Sequence, residues 1–193
     1  GGSGKTPVAT TLADRAVAMG LKPGFLSRGH GSRPGPPRLV RQGDGAREVG
    51  DEPLLLAAHA PVAVGRDRAA AARMLLDAGC DLAIMDDGFQ SAQLHMDYAL
   101  IVVDAKFGVG NGRILPAGPL RAPVGRQLAF ADAVLRMGRG PAADAIVRRA
   151  ARAGKPVFDA VAAPRDAGRL AGRRFLAFAG IGHPSKFFAT VRA

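Results

Sequence analysis

Apolar residues in this chain come in short runs set between glycine-, proline- and charge-rich stretches. Pro23-Gly24-Phe25-Leu26-Ser27, Pro61-Val62-Ala63-Val64, Leu82-Ala83-Ile84-Met85, Tyr98 to Asp104, Ala133-Val134-Leu135-Arg136 and Pro156-Val157-Phe158 are brief and near-continuously apolar. That pattern predicts strands covered on both faces, as in a parallel sheet. Between them, Val8, Leu12, Ala16 and Met19 recur at helical spacing from Lys5 up to the stop at Gly20. Further helices are expected at Leu54–Ala58, from Arg68 to Ala78, and from about Ala142 to Ala153. Strand and helix alternate, which predicts a doubly wound sheet. One stretch breaks the alternation: Arg38–Arg41 and Ala46–Val49 flank Gln42-Gly43-Asp44-Gly45, which reads as a hairpin. A linker rich in glycine and arginine follows Pro164, then a strand at Phe175–Ala179 and a helix after Pro184.

The chemistry-bearing residues sit at the ends of these elements. Gly1-Gly2-Ser3-Gly4-Lys5-Thr6 opens the chain directly before the first helix. Glycines let successive N–H groups turn inward on a phosphate, and the helix start adds its positive dipole end. Lys5 would reach the β/γ-phosphates and the Thr6 hydroxyl would ligate Mg²⁺. The pattern G-x-x-x-x-G-K-[ST] would begin two residues before Gly1, so the sequence reads as a fragment lacking the strand that leads into this loop. Leu82–Met85 runs straight into Asp86-Asp87-Gly88-Phe89-Gln90, the layout that puts a carboxylate at a strand's end facing metal and phosphates. Asp51 and Glu52 precede an apolar helix, where spacing alone fits N-capping by Asp51 as well as it fits catalysis. Arg66 and Arg68 follow another strand, either to clamp an anion or to be solvated in a first helical turn. The glycines from Gly108 to Gly112 do not make G-x-G-x-x-G. Pro116, Pro119 and Pro123 instead predict an ordered loop that offers Arg121 to a phosphate.

The expected fold is therefore α/β, a P-loop NTPase-like, doubly wound, mostly parallel sheet with a small β-hairpin insertion, plus the start of a second α/β domain. Residues 1–168 are assigned to the nucleotide-binding domain and 169–193 to a linker and the beginning of the next. At 193 residues and 48% hydrophobic content the chain can bury one good core and begin another. The lone cysteine, Cys80, excludes a disulfide framework and reads as a buried, inert thiol. No apolar run is long enough to cross a bilayer and no signal peptide is recognisable, although a preceding N-terminal anchor stays open. The net charge of +11, from 27 Lys plus Arg against 16 Asp plus Glu, suits an anionic membrane surface or a phosphorylated substrate. With one Tyr and no Trp there is no stacking platform for single strands, and nucleic acid is not the expected partner.

An ordered series of motifs resembles one family, the lipid A 4′-kinases or tetraacyldisaccharide 4′-kinases. The series is Gly1 to Pro7, Arg28-Gly29-His30-Gly31, Gly50-Asp51-Glu52-Pro53, Asp86 to Gln90, Gly110-Asn111-Gly112-Arg113, Leu115 to Arg121, and Phe178-Ala179-Gly180-Ile181-Gly182. It spans essentially the whole chain. The resemblance implies transfer of the ATP γ-phosphate to the 4′-hydroxyl of a tetraacyldisaccharide 1-phosphate in lipid A biosynthesis. The setting it implies is the cytoplasmic face of the bacterial inner membrane, with ATP and Mg²⁺ as cofactors. The sequence leaves the oligomeric state open, with a monomer as the expectation. By that similarity Asp51 is the base, Glu52 supports metal or geometry, and Lys5 and Thr6 hold phosphate and metal. Asp86, Asp87 and Gln90 form the metal-side group, and Arg121 stabilises phosphoryl charge. Gly1, Gly2, Ser3 and Gly4 complete the nucleotide loop.

Three positions depart from the family's usual residues: His30 for Tyr, Ser91 for His and Ala122 for Glu. Ser91 removes expected support near Gln90. The family's distal histidine-bearing segment is not reached, so the fragment alone is expected to be inactive. Two rival readings are a different P-loop protein, which leaves Gly50 to Pro53 and the Leu115–Arg121 loop without a purpose, and a basic nucleic-acid binder.

Overall fold

The computed structural model describes residues 2–33, 35–163, 168, 172, 174–180 and 184–192. Within these the chain divides into two compact units, residues 5–97 and residues 1–4 with 98–193.

In the first unit, β1 (Pro23–Ser27) is buried along its whole length and pairs in parallel with β3 (Val62–Val64) on one side and β4 (Leu82–Met85) on the other. Because side chains alternate across a strand, successive residues serve opposite faces. Phe25, Val62 and Val64 join Ala9, Ala13, Val49 and Leu56 in one cluster, while Leu26 and Ala63 join Ala71, Leu75 and Cys80 in another. The first cluster packs α1 (Lys5–Ala18) and α3 (Asp51–Leu56); the second packs α4 (Arg68–Asp77). Helices therefore cover both faces, as the continuous apolar runs required. Cys80 is a buried free thiol whose pKa is pushed up by burial.

The α1 helix lies where expected, but its packed face differs. Ala9, Ala13 and Ala16 are the buried positions, whereas Leu12 and Met19 are 47% and 78% exposed. Methyl side chains let the helix axis approach the sheet closely, which larger residues on that face would prevent. His59 Nδ1 lies 2.9 Å from Asp14 Oδ1, tying α1 to the turn after α3.

The insertion after β1 supplies an antiparallel strand, β2 (Arg38–Leu39), paired with β3. Its expected second arm is not a strand: Ala46–Val49 forms a helical turn, α2. The cause is local, since the Glu48 carboxylate reaches back to accept from the Gly45 N–H at 2.8 Å, a helix-start contact that outweighs the short alternation. The 42–45 turn is held instead by Asp44, which accepts from the Arg41 N–H at 2.7 Å and from Arg38 Nη2 at 2.6 Å.

In the second unit, β5 (Leu100–Asp104), β6 (Ala133–Met137) and β7 (Val157–Ala160) form a parallel sheet in that order. Val103 and Val134 pack with Leu128 from α5 (Val124–Phe130) and with Ile146 and Ala150 from α6 (Asp144–Arg152). Helix α5 was not anticipated; Pro123 at its N-cap starts it directly after the proline-rich loop. That loop is ordered as expected, with Asn111 Nδ2 donating to the Ala117 carbonyl at 2.8 Å, the Leu115 N–H to the Leu120 carbonyl at 2.8 Å and the Leu120 N–H to the Arg113 carbonyl at 3.1 Å. The strands thus lie in two sheets, β2-β3-β1-β4 and β5-β6-β7, rather than one.

Residues 174–180 are not a strand: Leu176 and Phe178 are 91% and 84% exposed, and no strand among the described residues pairs with the segment. The helix after Pro184 is present as α7 (Pro184–Arg192). Most of the expected linker, together with Ile181, Gly182 and His183 of the last motif, lies outside the described residues, as does Gly1.

Candidate functional site

The first turn of α1 and the turn that follows β4 meet. Thr6 Oγ1 donates a 2.9 Å hydrogen bond to Asp86 Oδ2, and Lys5 Nζ lies 3.8 Å from Asp87 Oδ1. Eighty positions separate Thr6 from Asp86, so this junction is a property of the sheet, made by β4 delivering its C-terminal end beside the helix start. Asp87 adopts φ +54, a left-handed conformation costly for a side-chain-bearing residue. At Gly88 an added Cβ would lie 2.1 Å from Met85 Cγ and Sδ, so any side chain there would force Met85 to move. These two constraints turn both carboxylates toward the helix start instead of letting the strand continue.

A hydroxyl and a carboxylate sharing a proton, with a second carboxylate held by a lysine, form a hard-oxygen donor set. Such donors suit Mg²⁺, which retains waters and takes few protein ligands. Among the described residues no cluster of three or more His, Cys, Asp or Glu side chains could cage a metal, so any ion here takes the rest of its shell from water or substrate. The donor chemistry of these residues is compatible with a divalent cation.

Of the loop residues, Gly2 and Gly4 have φ +86 and +92, as inward-turning backbone amides require. A Cβ on Gly4 would sit 3.0 Å from Met137 Cγ at the end of β6, which keeps this position small. Ser3 is half-buried.

A second meeting point brings two more motifs together. Gly29 and Gly50 both have positive φ, +68 and +94, and face one another across a backbone contact. A Cβ on Gly50 would lie 2.9 Å from the His30 carbonyl oxygen, and one on Gly29 would lie 3.2 Å from the Val49 carbonyl oxygen. Ser32 Oγ donates to the Gly29 carbonyl at 2.6 Å and the Arg33 N–H donates to the Arg47 carbonyl at 3.0 Å, closing the loop. Asp51 and Glu52 then emerge, exposed, in the first turn of α3. Gly50 is the N-cap, so Asp51 does not cap the helix as its spacing allowed. His30 is exposed on the same loop. Among the described residues no hydrogen bond or ion pair joins Asp51 or Glu52 to Lys5, Thr6, Asp86 or Asp87. The structure therefore groups Lys5, Thr6, Asp86 and Asp87 directly, and holds Asp51 and Glu52 on a separate, adjoining framework of the same unit. Gln90 and Arg121 are exposed, each in a loop and each engaged with a neighbour; Arg121 belongs to the second unit.

Of Arg66 and Arg68, read from the sequence as clamping an anion or as solvated in a first helical turn, the structure buries one. Arg68, first residue of α4, is only 6% exposed, and its charge is acted on by Arg28 and Asp87. Burial, then Arg28, push its pKa below the ordinary arginine value, and Asp87 partly opposes them. Arg66, two residues earlier, is exposed. The available signal was Arg-Asp-Arg directly after a buried strand, but sequence could not say which arginine turned inward.

Comparison with known proteins agrees with this arrangement. A family model described as tetraacyldisaccharide-1-P 4′-kinase (LpxK) matches residues 1–193. Proteins called tetraacyldisaccharide 4′-kinase are 64% identical in Mesorhizobium japonicum, 60% in Chelativorans sp. and 56% in Brucella ovis, each over 100% of this chain and 57% of the relative. The chain thus spans a little over half the length of the curated relatives it matches. A crystal structure of LpxK from Aquifex aeolicus in complex with ATP superposes with a TM-score of 0.75 at 27% identity, covering 100% of this chain and 64% of that one. The motif series, the junction of Thr6 with Asp86 and the match over every residue together establish that this chain belongs to the tetraacyldisaccharide-1-P 4′-kinase (LpxK) family.

Proposed function

We propose that the protein containing this chain transfers the γ-phosphate of ATP to the 4′-hydroxyl of a tetraacyldisaccharide 1-phosphate, making the bis-phosphorylated lipid A precursor. The observation that carries the reading is the 2.9 Å Thr6–Asp86 hydrogen bond, which joins a phosphate loop to a strand-end carboxylate within a chain of this family. In this reading residues 1–168 serve as the nucleotide-binding kinase domain and 169–193 lead into a second domain.

Gly1, Gly2, Ser3 and Gly4 present backbone N–H groups to the phosphates, and Lys5 balances their charge. Thr6 and Asp86 would hold Mg²⁺, with Asp87, Gln90 and Glu52 on the metal side. When bound, the ion would neutralise charge on the phosphates. Asp51 accepts the proton of the sugar hydroxyl as its oxygen bonds to phosphorus and the bond to the departing ADP breaks. Little basicity is needed in a loose phosphoryl transition state; position matters more. The Gly29–Gly50 contact supplies that position by fixing the turn that carries Asp51. Arg121 stabilises charge on the transferring group or holds the acceptor's phosphate.

The acceptor's acyl chains require a lipid surface, and the +11 charge suits an anionic one at the cytoplasmic face of the inner membrane. Among the described residues no helix is long and apolar enough to cross a membrane. The test is ATP-dependent phosphorylation of tetraacyldisaccharide 1-phosphate in mixed micelles by the full-length protein. Asp51→Ala is expected to lower kcat by about 10²- to 10⁴-fold, and Lys5→Ala to lower activity comparably. Mg-ATP hydrolysis with this lipid left unphosphorylated would return the protein to the general class of P-loop NTPases.

A further inference from the structure

The proline-rich loop of the second unit carries an apolar tip between two arginines. The Leu120 N–H donates to the Arg113 carbonyl at 3.1 Å and the Leu115 N–H to the Leu120 carbonyl at 2.8 Å, so residues 113 and 120 stand side by side at the base of the tip. Beyond that base Ile114 and Leu115 are 41% and 62% exposed, and Pro116 and Ala117 are exposed with them. Single exposed apolar side chains are ordinary, but four in succession at the end of a fixed loop mark a contact surface. The backbone of the tip is also suited to leaving water. The Gly118 N–H donates to the Ile114 carbonyl at 3.1 Å, the Ala117 carbonyl accepts from Asn111 Nδ2 at 2.8 Å, and Pro116 and Pro119 have no N–H to satisfy. Each of these lowers the polar cost of entering an apolar phase, where backbone groups must find partners within the chain.

Charge says what such a tip meets. From Ala105 to Ala131 the chain has Lys106, Arg113, Arg121 and Arg126 and no Asp or Glu. The acids that bound this stretch are engaged by the fold: Asp104 is buried and accepts from the Lys106 and Phe107 N–H groups at 2.8 and 3.2 Å, and Asp132 accepts from the Ala99 N–H at 2.7 Å. Arg113 and Arg121 are exposed, one on each arm of the loop. We infer that the 113–121 loop is a membrane-docking element, with Ile114 and Leu115 entering the boundary between headgroups and acyl chains of an anionic bilayer and Arg113 meeting lipid phosphates at the base of the tip. Apolar area and cation charge add in such binding, and a bilayer rich in acidic lipid answers both at once. The inference rests on the reading that the acceptor is a lipid, and it adds the surface that meets the bilayer, on the loop that also carries Arg121.

The full-length protein is tested on vesicles of phosphatidylethanolamine with phosphatidylglycerol, and on phosphatidylcholine alone. Ile114→Ser combined with Leu115→Ser is expected to weaken partition onto the anionic vesicles about 10- to 100-fold. Arg113→Gln is expected to weaken it about fivefold there and to have no effect on phosphatidylcholine. Leu76→Ser is the control: that residue, on α4 beside Asp77, is 66% exposed and should leave partition within about twofold. Tm and Mg-ATP affinity should hold in every variant. A second measurement uses Leu115→Cys labelled with nitrobenzoxadiazole, whose emission should shift to the blue when anionic vesicles are added. The inference is overturned if the label stays in water while the protein is bound, if the double variant partitions within about twofold of the wild type, or if Leu76→Ser weakens partition equally. A double variant that keeps its partition but raises the acceptor KM in mixed micelles would assign the tip to the acceptor's acyl chains, and docking is then rejected. Should the wild type leave tetraacyldisaccharide 1-phosphate unphosphorylated, the kinase reading fails, while partition and the labelled tip still decide docking.

Discussion

At the residue scale, the candidate site depends on positions where only one side-chain size or backbone conformation fits. Gly50 combines φ +94 with a carbonyl oxygen 2.9 Å from where a Cβ would stand. Gly50→Ala is expected to destabilise the protein by about 1–3 kcal/mol and, by shifting Asp51, to lower kcat more than ATP affinity. Urea denaturation and steady-state kinetics on the full-length protein check the two effects, and an unchanged kcat would separate Asp51 from this turn. Thr6→Val keeps the shape of Thr6 but removes the proton shared with Asp86. Nucleotide binding should then lose most of its Mg²⁺ dependence, read as the ratio of ATP Kd with and without the ion. Gly50-Asp51-Glu52-Pro53 was visible in the sequence, whereas its docking on Gly29-His30 was not, since nothing local to either motif encodes the other.

At the element scale, hydrophobic periodicity located helices and strands better than it chose their packed faces. Helix α1 carries the larger apolar residue Leu12, yet it packs through Ala13 at 0% exposure. Ala13→Leu is expected to cost about 1–3 kcal/mol by overpacking against the sheet. Leu12→Lys, on the exposed side, should stay within about 0.5 kcal/mol; chemical denaturation distinguishes them. The Ala46–Val49 segment illustrates the converse, a four-residue alternation overruled by a helix-start contact that its Gly45 and Glu48 could have signalled. Two surface carboxylates set an acid limit on these elements. Asp44 is held below its ordinary pKa by the Arg41 N–H and by Arg38, and Asp159 is held there by Arg136. A carboxylate with a folded pKa below its unfolded one stabilises the fold above the unfolded value. That stabilisation is lost as pH falls through the folded value, here on acidification below about pH 4. Thermal unfolding between pH 6 and pH 3 should show Tm falling less steeply in Asp44→Asn plus Asp159→Asn than in the wild type.

At the scale of the whole molecule, two units carry their own sheets and cores, and the phosphate loop with its following helix runs from one into the other at Gly4–Lys5. The α/β class and most element positions were legible because each strand is a short apolar run bounded by glycine, proline or charge. The division into two units was not, because strand alternation says which segments are strands and leaves unstated which neighbours hydrogen-bond. The net charge of +11 belongs to this scale too. If it serves a membrane surface, flotation of the full-length protein with anionic vesicles should fall steeply as salt shortens the Debye length from about 10 Å at 0.1 M to about 3 Å at 1 M. Flotation indifferent to salt would assign membrane association to apolar contact.

The sequence by itself determined the local chemistry: a glycine-rich turn before Lys5 and Thr6, acids at the end of an apolar strand, and a motif order matching one family. These are legible because turn conformation, strand termination and phosphate-binding residue types are short-range properties of neighbouring residues. Tertiary structure decided which distant residues meet. It set Thr6 on Asp86 and Gly29 on Gly50, chose alanines over leucines for the packed face of α1, and turned Arg68 rather than Arg66 inward. Each of those outcomes depends on close packing and on the hydrogen-bond needs of groups far apart in the chain, which no local pattern specifies.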